Sequence, residues 1–384
     1  MSFRNVPWQG FAALVLVLLT LLSPAYTVQE LAALAPGESG LSYPYELTGP
    51  LMLGLAGLAA LAIVFRPRPV VEAAVLFVLV HAAAWLLVAG IAGAEGGALH
   101  AYWYLLAALW LMAWRLATVL SSLKPVGRAA DTAIGLLVPA LFGAWILIIW
   151  EAVVRGAGIP FILLPPPSAI GVRIAGSVPI LAADVYQTIF KAVLTGYVLG
   201  CASGFVVAIL ADRFLFLRRG LMPIGNMVSA LPIIGVAPIM VMWFGFDWQS
   251  KAAVVVIMTF FPMLVNTVAG LAAAGHMERD LMRTYASSYT QTLVKLRLPA
   301  AAPFIFNALK INSTLALIGA IVSEFFGTPV VGMGFRISTE IGRMNVDMVW
   351  AEIAVAALAG SVFYGVIALL ERAVTFWHPS IRGG

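Results

Sequence analysis

The residues able to do acid–base, nucleophilic or metal chemistry are few and scattered. His81, His100, His276 and His378 lie far apart, and none stands at metal-ligand spacing with a cysteine pair, so no metal site is predicted. Cys201 is the single cysteine, so no disulfide forms within the chain. No Gly-x-Ser-x-Gly elbow occurs. A nucleotide-binding loop needs a Gly-rich turn and a lysine that reaches phosphate, yet no Gly-Lys dipeptide is present. No catalytic residue and no cofactor are therefore predicted, and any use of ATP must come from a partner. One acid stands out, Glu324 in "VSEFFG", at the outer end of an apolar run. An acid near the membrane is a functional candidate by default; the competing reading is an interfacial carboxylate in water, or a partner for Arg336 or Arg343. Asn266 and Asn312 are uncharged and polar within apolar runs, and such residues more often join helices than bind ligands.

The longest polar stretch predicted on the inner side contains "DLMRTYASSYTQTLVKLRLPAAAP", residues 280–303. Leu281, Tyr285, Tyr289, Leu293 and Leu296 recur at helical spacing, with Met282 and Ala286 beside them, while Arg283, Lys295 and Arg297 stay polar. The spacing predicts one amphipathic helix over 280–298. Pro299, lacking an amide donor, is expected to stop it. Pro303 opens the next apolar run. A basic amphipathic helix commonly lies on anionic lipid. Here Tyr and Met carry part of the stripe and Thr290, Gln291 and Thr292 interrupt it, a mixture that suits a protein groove better.

The elements that would position these residues are membrane helices. The 384 residues are 62% hydrophobic and 10% charged, with mean hydropathy +1.01. A soluble domain carries about 25% charged residues, so lipid must be the solvent. Apolar runs of about 20 residues point to helices rather than a barrel. Ten spans are predicted, near 9–28, 48–65, 70–93, 101–120, 132–153, 186–211, 221–244, 252–274, 301–325 and 349–371. The first also has features of a signal peptide, with Arg4 ahead of it and small residues near Ala25, but a retained anchor is favoured.

With both termini cytoplasmic, fifteen lysines and arginines fall inside, among them Arg4, Arg66, Lys124, Arg128, Arg218, Arg219 and Arg382. Five fall outside: Arg155, Arg173, Lys251, Arg336 and Arg343. Lys191 and Lys310 lie near span ends and snorkel. Acids such as Glu30, Glu38, Glu46, Glu95, Asp184, Asp247 and Asp347 go outside. Orientation thus accounts for the net charge of +5, and no nucleic acid partner is expected. The linker "SSLKPVGRAAD", 121–131, divides a four-span block, 1–125, from a six-span block, 126–384. Gly196, Gly200 and Gly204 recur at every fourth position, the pattern of close helix packing. Pro232 and Pro238 are expected to break the seventh span, which marks it for the pathway, since broken backbone in a membrane faces protein or a wet cavity. No inverted repeat is visible, which weighs against the alternative, a secondary carrier or channel independent of ATP.

Residues 280–299 resemble the ATPase-coupling motif of ATP-binding-cassette importer permeases. Aligned on Leu298-Pro299, the motif's acid is Asp280, its two alanines are Leu281 and Met282, its glycine is Ala286 and its late hydrophobic residue is Leu296. Together with "LPPPSAI" (164–170), "YQTIFKAVLTGYVLG" (186–200), "ALPIIGVAPIMVMWFGFDWQSK" (230–251), "FFPMLVNTVAGL" (260–271) and "ALIGAIVSEFFGTPVVGMGFRI" (316–337), the chain is similar to the nitrate/sulfonate/taurine-type permeases over roughly 130–378. The first four spans lie outside that resemblance. It implies an all-α protein of the bacterial inner membrane, paired with a second permease subunit, two cytoplasmic ATPases and an external substrate-binding protein. Alternating access would import a sulfonate, taurine, nitrate, or a pyrimidine or vitamin-like compound. Asp280 would cap the coupling helix; Leu281, Arg283, Thr284, Tyr285 and Tyr289 would meet the ATPase; Ala286 replaces a glycine of close approach; Leu298 and Pro299 would set the angle between lever and span. The resemblance also marks Glu324, before Gly327, Gly332 and Gly334, as a pathway or gate residue.

Overall fold

Backbone amides have no water to bond in lipid, so apolar stretches of this length close their hydrogen bonds as helices. The computed structural model describes residues 7–27, 41–42, 49–65, 67–92, 94–123, 127–229, 231–327 and 330–377. Arg4, Glu30, Glu38, Glu46, Arg66, Lys124, His378 and Arg382 lie outside the described residues, as does the side chain of Arg128. The described chain is helical apart from an antiparallel two-residue pair, β1 (Tyr26–Thr27) with β2 (Leu41–Ser42). Seven helices among the described residues are long and apolar enough to cross a membrane, and three shorter apolar helices stand at the remaining predicted spans. Contacts divide the chain into two compact units, Met1–Ile170 and Gly171–Gly384.

The first unit holds α1 (Trp8–Thr20), α2 (Gly49–Phe65), α3 (Pro69–Gly90), α4 (His100–Ser122) and α5 (Arg128–Ala157). The contact division therefore places α5, the fifth predicted span, in this unit. Helix α1 has 13 residues, about 20 Å, which is shorter than the ~30 Å hydrocarbon core. Small residues let the helices approach: Ala56, Ala59, Ala60, Ala83 and Ala108 are completely or nearly buried. Buried polar tips are satisfied locally. Tyr102 Oη donates to the Ala152 carbonyl (2.9 Å), and Trp145 Nε1 donates to His81 Nε2 (3.2 Å), with His81 Nδ1 2.6 Å from the Phe77 carbonyl. His81 is thus hydrogen-bonded packing.

The second unit begins within α6 (Pro167–Gly176) and continues with α7 (Val178–Val185), a π-helical stretch Tyr186–Val193, α8 (Leu194–Arg213), α9 (Leu215–Ser229), α10 (Ile233–Phe244) and α11 (Trp248–Ala272). Then come α12 (His276–Thr284), α13 (Tyr289–Thr292), a π-helical turn Leu293–Arg297, α14 (Leu298–Glu324), α15 (Met333–Gly342) and α16 (Val346–Val374). Helix α11 is its centre, packed on α8 and α14. Gly196, Gly200 and Gly204 all face α11: a Cβ on Gly196 would lie 2.6 Å from the Ala252 carbonyl oxygen, and one on Gly204 2.5 Å from that of Phe260. At Gly200 it would strike Thr259 Oγ1. Asn312 Nδ2 ties α14 to α11 through the Thr259 carbonyl (2.7 Å) and to Cys201 Sγ of α8 (3.2 Å).

Two expectations need correction. The seventh span is broken once, at Pro232, which caps α10 with φ −68° and ψ 118°; Pro238 lies inside α10 and does not end it. Nor is there one helix over 280–298 stopped by Pro299. Helix α12 ends at Thr284, and a second helix runs without interruption from Tyr289 to Glu324. Pro299 sits in the first turn of α14, directly after the π turn. The wider π turn absorbs the missing amide and the ring clash that would otherwise break the helix.

Candidate functional site

The segment after α11, predicted to lie on the inner side, is built by capping. Arg279 folds back on the carbonyls that end α11, donating to Ala274 (2.6 Å) and Ala272. Helix α12 starts at His276 after Gly275, so Asp280 is not its cap; it lies mid-helix, exposed, 3.4 Å from Arg283. The helix ends in a Schellman motif: the Ser287 amide bonds the Met282 carbonyl (3.0 Å) and the Ala286 amide that of Arg283 (2.9 Å). Ala286 carries φ +52° as the left-handed residue of that motif. A glycine is favoured at this position because of the backbone angle, so close approach is not what the position requires. Ser288 then opens the next helix with a full capping box to Gln291.

Helix α12 buries none of its residues. Met277, Leu281 and Tyr285, four apart and so on one face, are 84%, 56% and 77% exposed. Asp280, Arg283, Thr284 and Ala286 are exposed with them. The remaining predicted coupling residues turn the other way. Tyr289 and Leu298 pack against the buried cluster of Leu271, Leu293 and Ala301, and Pro299 is half-buried.

What holds this segment to the bundle is an ion pair that the sequence reading did not single out. Arg297 donates Nη1 and Nη2 to the two oxygens of Asp212 at 2.6 Å each, and Nε to the Leu271 carbonyl at 3.0 Å. Tyr289 Oη adds a bond to Asp212 (3.1 Å), and the Arg213 guanidinium lies 4.4 Å from the Tyr289 ring centre. One bidentate arginine therefore links the ends of α8 and α11 to the π turn. The signal available in sequence was an acid at the foot of a span otherwise flanked by arginines.

At the helix break a cavity of about 120 Å³ is walled by Val228, Leu231, Ile233, Met258, Pro262 and Leu315. Pro232 stands at the break but does not line the cavity, nor does Pro238. Asn266 is spent within its own helix, donating to the Pro262 carbonyl at 2.8 Å.

Glu324 is neither in water nor paired with Arg336 or Arg343. It is 2% exposed, accepting from Thr188 Oγ1 (2.8 Å) and from the Gly334 amide (2.7 Å). Thr188 accepts in turn from the Met333 amide (2.9 Å). Asp184 accepts from the Gly332 amide (2.6 Å) and from Arg336 Nε (2.9 Å), and Glu352 is fully buried beside it. Lys251, also buried, donates to the Phe246 carbonyl (2.6 Å) and to that of Gly327. The start of α15, Gly332–Gly334, is thereby stitched to α7, to the π-helical stretch Tyr186–Val193 and to α14. Gly332 sits at φ +143°, where a side chain is strained, and a Cβ would press on the Glu324 carboxylate at 2.9 Å. Burial alone would lower the Arg336 guanidinium's affinity for its proton, but the bond to Asp184 and the charges of Asp184, Glu352 and Glu340 together outweigh it and the pKa is raised. For Asp247, burial pushes upward, yet the Trp248 amide, Gln187 and nearby lysines bring the carboxyl below its usual range. Sequence reading flagged Glu324 of this network and counted Asp184 only as an outer charge.

The family model for the binding-protein-dependent transport system inner membrane component matches residues 196–376. The formylaminopyrimidine transport permease protein of Halalkalibacterium halodurans is 32% identical over 246 residues, 63% of this chain and 96% of the relative. A putative aliphatic sulfonates transport permease protein of Bacillus subtilis is 30% identical over 65% of this chain and 89% of its own length. The taurine transport system permease protein of Escherichia coli is 26% identical over 67% and 94%. More than a third of this chain lies outside the length aligned with the first of these. A chain that spans such relatives almost end to end, in a helical frame of ten apolar helices, belongs to the family of binding-protein-dependent inner-membrane components, the permeases of ATP-binding-cassette importers of the nitrate, sulfonate and taurine type.

Proposed function

We propose that α12 is the surface on which a separate cytoplasmic ATPase docks, and that this chain pairs with a second permease subunit and receives substrate from an external binding protein. One observation carries the reading. Helix α12 leaves Met277, Leu281 and Tyr285 bare on a helix that buries nothing, which is the pattern of a helix awaiting a groove. ATP-driven closure would push α12, and Arg297 would pass the movement to the feet of α8, α11 and α14. The permease itself carries no nucleotide loop, so hydrolysis belongs to the partner. The break at Pro232 and its cavity would form part of the path, and the network around Glu324 would hold the outer side closed. Both termini face the cytoplasm in this reading, supported by the excess of lysine and arginine at the inner ends. Residues 1–125 form a membrane extension ahead of the importer core, 126–384. The cargo is a small organic or oxyanion nutrient, a sulfonate, taurine, nitrate, or a pyrimidine or vitamin-like compound, in line with the named relatives.

The experiment substitutes Leu281→Asp together with Tyr285→Asp. Both side chains are exposed, so the chain should still reach the membrane. Copurification of the ATPase and ATP-dependent uptake should each fall at least tenfold, a change of about 1.4 kcal/mol or more in docking. Undiminished copurification would refute α12 as the docking surface.

A further inference from the structure

We propose that a groove between α4 and α5, in the first unit, binds one acyl chain of a membrane phospholipid. The groove encloses about 260 Å³ and is walled by Trp110 and Trp114 of α4 and by Leu141, Phe142 and Trp145 of α5. Ala113 and Ala117, one turn apart on α4, form its floor, and their small side chains create the recess. The one polar atom of Trp145 is already committed, since its Nε1 donates to His81. The walls thus offer ring faces and aliphatic carbon.

Position and size select the occupant. Trp114 lies eight residues before the end of α4 at Ser122, about 12 Å along the axis. That is deeper than the interfacial belt in which membrane tryptophans usually sit. Both α4 and the residues Ala129–Ala157 of α5 are long and apolar enough to span, so the groove faces hydrocarbon. It is continuous with that surface, because its lining residues Trp114 and Phe142 are 49% and 59% exposed. A drug-sized site encloses about 300–1,000 Å³, so this groove is too small for a whole lipid, while a length of acyl chain fits along it. The most abundant apolar tail in the surrounding medium is a phospholipid acyl chain. Trp8 of α1 rests edge-on against Trp114 with ring centres 5.5 Å apart, so a chain seated here would also brace α1.

Two measurements test this on the full chain with the subunits that copurify with it. Native mass spectrometry after extraction in mild detergent should find about one phospholipid retained per chain. Ala113→Phe with Ala117→Phe fills the recess and should cut that retention at least tenfold. In membranes of brominated phosphatidylcholine, Trp145 emission, taken as wild type minus Trp145→Phe, should fall at least twofold. Its indole lines the groove and is otherwise buried, so a brominated chain seated there lies against it. No retained phospholipid, retention undiminished in a folded double variant, or unquenched Trp145 emission would each overturn the proposal. If the double variant does not fold, the bromine measurement decides.

Discussion

Ala286 shows how much a single backbone angle explains. Its φ of +52° is forced by the Schellman motif that ends α12, and an L-residue there is strained by about 1 kcal/mol relative to glycine. Ala286→Gly should therefore tighten the 285–288 turn, the gain partly offset by the greater freedom of glycine in the unfolded chain. Hydrogen exchange at the Ala286 and Ser287 amides should slow about three- to fivefold, equivalent to about 0.6–0.9 kcal/mol of local stability. Faster exchange would mean that the angle is not the constraint. Glu324 makes the same point for a polar residue. Read in sequence it was a candidate by virtue of being an acid near a membrane; in the fold it is a buried acceptor for Thr188 and the Gly334 amide.

At the scale of elements, the α12 to α14 segment is, in the proposed reading, a docking face followed by a lever, with Arg297 as the joint. The pair with Asp212 is largely buried, the two side chains being 15% and 6% exposed. Asp212→Ala leaves a buried guanidinium uncompensated and should cost up to about 3 kcal/mol. Arg297→Ala should cost a similar amount, and the double variant clearly less than the sum. Thermal unfolding of the four proteins measures this; additive losses would show that the pair does not act as a joint. Because α12 is untouched, the ATPase should still copurify with either single variant while uptake per ATP falls. Proline placement follows the same reasoning. Pro232 caps a helix and ends one, whereas Pro299 is carried through a helix by a π turn, and composition alone does not distinguish the two.

At the scale of the whole molecule, long-range ties join α7, the π-helical stretch, α14 and α15: Asp184 to Gly332 and Arg336, Thr188 to Glu324 and Met333. In the proposed orientation they lie on the outer side. Glu324→Ala removes both bonds that seat Gly334 and Thr188. Exchange of the Gly334 amide should rise at least tenfold, and Glu324→Gln should fall between wild type and the alanine variant. An amide side chain keeps one acceptor oxygen and loses the second. Unchanged exchange in Glu324→Ala would remove Glu324 from the role of holding the start of α15.

The sequence by itself determined the solvent, the helical class and the positions of ten apolar helices, because hydropathy and the 3.6-residue period are local properties. It also marked Leu281 and Tyr285 as part of an amphipathic stripe, but it joined them to Tyr289, Leu293 and Leu296 in one helix, because spacing alone does not show the Schellman break after Thr284. The glycines of α8 were legible as a repeat within one helix, although which helix they meet was not. The tertiary structure alone decided that Arg297 meets Asp212, 85 positions away, and that Asp184 meets Gly332, 148 away. It alone turned Tyr289 and Leu298 inward and gathered three tryptophans around two alanines. Those outcomes depend on where helices cross and how they are rotated, which the packing of α11 between α8 and α14 and of α4 against its neighbours sets, and which no single segment encodes.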